Sequence, residues 1–348
     1  MKALILKDDR QFVYTNMPKP VPGEKEVLIQ IKAASVCGSD ITGIDGSTGR
    51  RRPPIIMGHE ASGIIEETGN KATRFAKGDR VTFDSTIYCG QCAFCRSGRV
   101  NLCDSRRVLG VSCEEYRQHG AFCQYLALPE HIVYKIPDNV TFEQAALTEP
   151  VSVALHAVKR MEIDISDTVV IFGTGTIALF SLQLIKLLRP VQIIVIGRNE
   201  QKLKLAEELG ADVTINSRTE KAAAAVRAIT RGQGASKALD AAGAVSTFCQ
   251  AVESLQKGGI FVTLANLEDS FPLNSSKLIT QELTIKGSCA FSGEIPKVLD
   301  LISRKAILVD YAISNLVPLS QGGAFIKQIY RERPEDFFKC ILLPPEPQ

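Results

Sequence analysis

Four cysteines, Cys89, Cys92, Cys95 and Cys103, follow the spacing C-x2-C-x2-C-x7-C. Four thiolates on one loop suit tetrahedral Zn²⁺ and leave no coordination position open, which defines a structural site. Gly90 and Gly98 supply turns that fold the loop back on the ion. An iron–sulfur cluster also takes four thiolates and is the competing reading. A second constellation is dispersed along the chain: Cys37-Gly-Ser39-Asp40, Gly58-His59-Glu60 and Glu149-Pro150. One thiolate, one imidazole and one or two carboxylates would leave a position for water or substrate. Asp40 is of the type that orients a ligating ring through its second nitrogen, here that of His59. Any one of these residues alone has an ordinary structural reading. His119, His131 and His156 are read as non-catalytic.

A third motif lies where the apolar run Val169–Phe172 meets Gly173-Thr174-Gly175-Thr176-Ile177-Ala178. The first glycine permits a tight turn, the second lets the backbone approach a pyrophosphate, and Ala178 is small enough for helix and strand to pack. The amides and positive dipole end of the following helix then face the phosphates. A glycine-rich turn without a ligand is the alternative. At the end of the next strand, where an NAD site usually carries a carboxylate, the chain has Gly197-Arg198-Asn199. Without that carboxylate nothing repels a 2′-phosphate, and Arg198 can pair with one, so NADP(H) is favoured over NAD(H). An arginine stacked on adenine would accept either cofactor.

The elements needed to position these residues fall into two kinds. Before residue 153, short alternating or apolar runs predict strands at 27–32, 61–68, 121–128 and 132–136, with a turn at 77–79, as in a barrel-like β unit. Beyond it, strands at 168–172, 192–196, 213–215, 238–240 and 260–264 alternate with helices, one over 201–209 closed by Gly210. This is the pattern of a parallel, doubly wound α/β sheet. The 348 residues suggest about two domains. A net charge of +3 and the lack of stacking aromatics beside Arg50-Arg51-Arg52 and Arg106-Arg107 argue against nucleic acid. Both arginine runs are read as solvated loops. No apolar run is long enough to span a membrane, and the N-terminus lacks signal-peptide features, so the expected location is cytoplasmic, with reduced cysteines.

Together these motifs resemble the zinc-containing medium-chain dehydrogenase/reductase family. The likeness is carried by Gly58-His-Glu-Ala-Ser-Gly63, Gly69 and Ala72, the cysteine lobe, Gly78-Asp-Arg-Val81, Gly120-Ala-Phe-Cys-Gln-Tyr125 and the nucleotide turn. Cys37-Gly-Ser-Asp40, Glu149-Pro150 and His156-Ala157 are similar to the polyol and threonine dehydrogenase branch. The resemblance implies a GroES-like catalytic domain over 1–152 and 289–348, with a structural zinc lobe at 89–103, and a Rossmann domain over 153–288. It implies a catalytic zinc on Cys37 and His59, with Glu149 as third ligand or a reach through water and Glu60 as an exchangeable carboxylate. Ser39 stands where a hydroxyl relays the substrate proton. Gly173, Thr174, Gly175, Thr176, Ile177 and Arg198 would contact the nicotinamide cofactor. The implied partner is a small polyol or ketose-like molecule, and the implied assembly a homodimer or homotetramer. The segment Gly287-Ser288-Cys289-Ala290-Phe291 lacks the arginine of sorbitol enzymes, leaving galactitol-type, threonine and butanediol substrates open. A zinc-free quinone or enone reductase and a catalytically silent zinc-binding protein are the rival readings.

Overall fold

The computed structural model describes residues 1–112, 118–265 and 270–346. The chain forms two compact units, one of Met1–Pro150 with Ser292–Gln348 and one of Val151–Phe291. Among the described residues, no helix is long and apolar enough to cross a membrane.

The first unit is built on a mixed sheet whose central strand is Glu26–Ser35. Its alternating pattern buries Ile29 and Ile31 in a core shared with Leu4, Leu6, Phe83, Phe122 and Leu342. At its C-terminal end, Ser35 pairs with Glu60 on one side and with Ile341 on the other. Two segments remote in sequence, Glu60–Thr68 and Lys339–Leu343, are thereby fixed on either side of one residue. Gly63 is required by this pairing. A Cβ there would lie 2.1 Å from the Gln30 carbonyl oxygen, closer than any real contact.

The expected strand over 121–128 is corrected. Regular pairing occupies Tyr125–Pro129. The preceding residues instead run beside 56–58, with Gly120 N donating to Ile56 O, Ala121 N to Gly58 O and Phe122 N to Met57 O. The reason is Gly58, whose φ of 95° breaks the extended backbone one residue before His59.

The second unit is a six-stranded parallel sheet in the order Val213–Asn216, Gln192–Gly197, Thr168–Phe172, Ala235–Asp240, Leu255–Thr263, Thr284–Gly287. That is the doubly wound order, with its switch point between the third and fourth strands in this order, which are first and fourth in sequence. The predicted helix over 201–209 spans Glu200–Leu209 and ends at Gly210 with φ 112°. Val170, Phe172, Ile194 and Ile196 are buried in this unit's core, as a sheet covered on both faces demands.

Gly63→Ala is expected to destabilise the protein by about 1–3 kcal/mol or more through overpacking against backbone that cannot move aside. Urea unfolding measures it, and an unchanged midpoint would mean that Glu26–Ser35 and Glu60–Thr68 do not pair in this register.

Candidate metal centres and cofactor turn

In the cysteine lobe, the short helix Ala93–Arg96 begins at Cys92, and Gly90 and Gly98 take φ of 74° and 76° to close the loop. The ligand atoms of Cys89, Cys92, Cys95 and Cys103 all lie within 4.8 Å of one another. The Cys89 and Cys95 sulfurs are 3.9 Å apart. Four Zn–S bonds of about 2.3 Å in a tetrahedron place sulfurs about 3.8 Å apart. A cluster distributes its cysteines over several iron atoms and needs wider spacing, so the geometry fits a single ion. Backbone amides already point at these sulfurs: Gln91 N and Cys92 N donate to Cys89 Sγ at 3.5 and 3.4 Å, and Cys95 N to Cys92 Sγ at 3.4 Å. The amides of Gln91 and Cys92 bring the Cys89 thiol down to about 6, while burial and the neighbouring Cys92 push Cys95 up to about 12.

The second centre gathers where the sheet register brings its parts together. Cys37 follows Ser35 by two residues and opens the helix Gly38–Thr42. Glu60 begins the neighbouring strand and His59 immediately precedes it, and their ligand atoms lie within 4.8 Å of that of Cys37. Glu149 is buried beside them and accepts a hydrogen bond from Ser85 Oγ at 3.0 Å. It lies outside the 4.8 Å cluster, close enough for its charge to act on His59, Glu60 and Lys339.

Two cations complete the surroundings. Lys339 Nζ donates to Glu60 Oε2 at 2.7 Å, and both side chains are buried. Arg51 Nη2 donates to Asp40 Oδ1 at 2.9 Å and to Ser39 Oγ at 3.2 Å. The reading of Arg50-Arg51-Arg52 as a solvated loop is therefore corrected at its middle residue, which is only 2 % exposed. Buried Asp40 is paired with Arg51, whose side chain is buried with it. Asp40 faces His59 at 3.7 Å from Nδ1, beyond hydrogen-bond distance. The expectation that Asp40 orients the ring by a direct hydrogen bond is corrected: its Oδ1 is engaged by Arg51 instead. His59 Nδ1 has no hydrogen-bond partner among the described residues.

Burial lowers the His59 pKa, but the charges of Asp40, Cys37 and Glu149 outweigh it and lift it to about 10. Burial, reinforced by Glu60, raises Glu149 to about 7 against the pull of His59, Lys339 and Ser85. Asp40 and Glu60 already have Arg51 and Lys339 as counter-ions. Cys37 and Glu149 lie in the field of His59 and Lys339. A thiolate, an imidazole and a carboxylate side by side are mixed donors of the kind that suit zinc.

Sequence reasoning missed Lys339 as a site residue. Its one local signal is a lone cation at the head of the apolar run Lys339–Leu343. Of the histidines set aside, His119 Nδ1 accepts from Ile56 N at 3.2 Å and His131 packs edge-on against Tyr88.

In the second unit, Gly173 has φ 115° and Gly175 precedes the helix Thr176–Leu188. A Cβ on Gly175 would enter open space, the cradle a pyrophosphate needs, whereas Ala178 is buried against the sheet. Gly197 has a different reason: a Cβ there would lie 2.5 Å from Thr174 Cγ2. Arg198 is exposed, and Asn199 is engaged in capping the next helix by accepting from Lys202 N at 2.9 Å. At the C-terminal ends of the other strands, Asp240 Oδ2, Thr263 Oγ1 and Ser288 Oγ are buried without hydrogen-bond partners among the described residues. Ligands bind at this edge in doubly wound sheets, and these atoms offer polar contacts there.

Comparison with known proteins agrees with this geometry. Residues 23–138 match the alcohol dehydrogenase GroES-like domain, and 176–304 the zinc-binding dehydrogenase family. A sorbitol dehydrogenase of Halalkalibacterium halodurans is 34% identical over 350 residues, covering 99% of each chain. A D-arabitol-phosphate dehydrogenase of Enterococcus avium is 30% identical over 341 residues, covering 94% of this chain and 96% of its own. The solved structure of a candidate zinc-binding dehydrogenase of Sinorhizobium meliloti, bound to NADP, superposes with a TM-score of 0.90 at 28% identity, covering 99% of both chains.

Cys95→Ser is expected to lower the thermal midpoint and remove one bound metal ion, while the folded fraction keeps kcat within about threefold, since that ion stabilises structure. Elemental analysis with thermal melting checks this, and a protein that loses turnover with its midpoint unchanged would contradict it.

Proposed function

The chain belongs to the zinc-containing medium-chain dehydrogenase/reductase family, a zinc- and nicotinamide-dependent group of alcohol dehydrogenases, and from that premise we propose that it interconverts a secondary alcohol of a polyol or sugar alcohol with the corresponding ketone. The observation that carries the reading is the convergence of Cys37, His59 and Glu60 within 4.8 Å, beside Glu149, from segments far apart in sequence. The polyol assignment draws support from the sorbitol and D-arabitol-phosphate dehydrogenases among the relatives. The proposal takes 1–152 and 289–348 as the catalytic domain and 153–288 as the cofactor domain.

Zinc, when bound, supplies the Lewis acidity that makes an alcohol acidic near neutral pH, and nicotinamide accepts the hydride. Cys37, His59 and Glu149 would hold the ion, with the Ser85 hydroxyl steadying the Glu149 carboxylate. Lys339 keeps Glu60 in an ion pair next to the ligands, from which it can exchange toward them. Ser39 is exposed, and its oxygen accepts from Arg51, so its proton is free to point elsewhere. In oxidation Ser39 Oγ takes the substrate's hydroxyl proton and passes its own to solvent. Gly173, Thr174, Gly175, Thr176 and Ile177 form the turn that would hold the pyrophosphate, which leaves the adenosine end near Arg198.

The proposal favours NADP(H). What supports it is the lack of a carboxylate after Gly197, the exposed Arg198 and the exposed Arg218 after the neighbouring strand, where Ser217 N donates to Gly197 O at 2.8 Å.

Cys37→Ser and His59→Ala should each reduce turnover on a reactive polyol by about 10³-fold or more while circular dichroism stays unchanged, because both remove a ligand of the Lewis acid. Retention of most metal-dependent activity by either variant would end the site assignment. Steady-state kinetics with both cofactors should give the higher kcat/KM with NADP⁺. Arg198→Ala should erase that advantage by about tenfold or more, as loss of a charge-assisted phosphate contact does. A wild-type preference for NAD⁺ would overturn the cofactor choice alone.

A further inference from the structure

Arg51 is a buried cation that the family motifs do not include. It lies in the segment following the helix Gly38–Thr42, and that segment is shaped around it. A Cβ on Gly43 would lie 2.9 Å from Arg51 Cγ, so the glycine makes room for the side chain. From outside, Arg10 Nη1 donates to the Arg51 carbonyl at 2.8 Å and fixes its backbone. The guanidinium reaches back to the helix, where Nη2 donates to Asp40 Oδ1 and to Ser39 Oγ, while Nη1 lies 3.3 Å from the Arg50 carbonyl. The other Asp40 oxygen, Oδ2, accepts from Cys37 N at 3.2 Å. One carboxylate is thus tied to the backbone of a proposed metal ligand and to Arg51, and presents itself 3.7 Å from the ring of another.

We propose that Arg51 is a positioning residue that sets Asp40 against His59 and Ser39 toward the substrate at the same time. Asp40 is fully buried, and the bond from Arg51 Nη2 holds its carboxylate in one orientation, 3.7 Å from the His59 ring. The same nitrogen binds Ser39 Oγ, which turns the hydroxyl proton away from Arg51 and leaves an oxygen lone pair for an incoming proton. One guanidinium nitrogen, Nη2, reaches both acceptors. A lysine ammonium on a shorter stem keeps the charge and gives up that geometry.

The inference rests on Cys37 and His59 being metal ligands. The experiment uses the full-length zinc-loaded enzyme and its cobalt-substituted form, with Arg51→Met, Arg51→Lys and, as a control for the underlying reading, Cys37→Ser. Arg51→Met is expected to lower kcat about 10–100-fold, the range for partners that support a metal's ligands, with KM for cofactor unchanged. It should also shift the visible absorption of the cobalt form and shorten the half-time of metal removal by a chelator. Arg51→Lys should recover part of kcat and of the cobalt spectrum. If Arg51→Met folds with kcat, spectrum and chelation rate all unchanged, or loses only thermal stability, the inference is overturned. If it does not fold, Arg51→Lys decides: a several-fold loss of kcat with a shifted cobalt spectrum upholds the inference, and wild-type values for both overturn it. Should Cys37→Ser keep its full cobalt spectrum, the ligand assignment itself fails, whatever Arg51 does. If Cys37→Ser loses the spectrum and the Arg51 variants are silent, only the role of Arg51 falls.

Discussion

Several ionisable groups share one buried region of this protein, and their mutual charge is the constraint on which the rest depends. Asp40, Glu60, Glu149, Cys37 and His59 are crowded against an apolar sheet, where a lone charge is costly. Arg51 and Lys339 balance two of the carboxylates. The remaining thiol, imidazole and carboxyl adjoin them, with His59 and Glu149 both pushed upward in pKa. A divalent ion would take these three groups as ligands in place of their protons.

Strand register puts those groups in one place. Ser35 pairs with Glu60 and with Ile341 on opposite edges of the same strand. Three segments, two from the start of the chain and one from its far end, therefore meet at one level of the sheet, with Cys37 at the exit of the central strand and Lys339 at the entry of a flanking one. Shifting either pairing by a single residue would turn Glu60 or Lys339 to the opposite face. Gly58 and Gly63 guard this register from both sides of His59, the first by its left-handed φ and the second by its contact with the Gln30 carbonyl.

Much of this was legible in the sequence where the information is local. The cysteine spacing fixes a four-sulfur site because all four ligands lie on one short loop. The Gly173–Ala178 turn is readable because the strand before it and the helix after it are continuous with it. The grouping of Cys37, His59 and Glu149 was suggested by residue type and given roles by family resemblance, since no local pattern predicts which distant strands pair. Lys339 was missed for the same reason. Arg51 was misread because a run of arginines beside prolines looks solvated, and only the buried Asp40 on another element reveals what the middle one does. The strand expected over 121–128 holds from Tyr125 onward, while 121–122 run beside 57–58, next to the left-handed Gly58, a placement that carries no signal of its own in the sequence.

The most direct test of the central claim is anomalous diffraction at the zinc absorption edge from crystals of the purified protein. The account predicts one peak among the sulfurs of Cys89, Cys92, Cys95 and Cys103 and a second within bonding distance of both Cys37 Sγ and a ring nitrogen of His59. A second peak absent from fully zinc-replete crystals, or lying away from those two side chains, would contradict it.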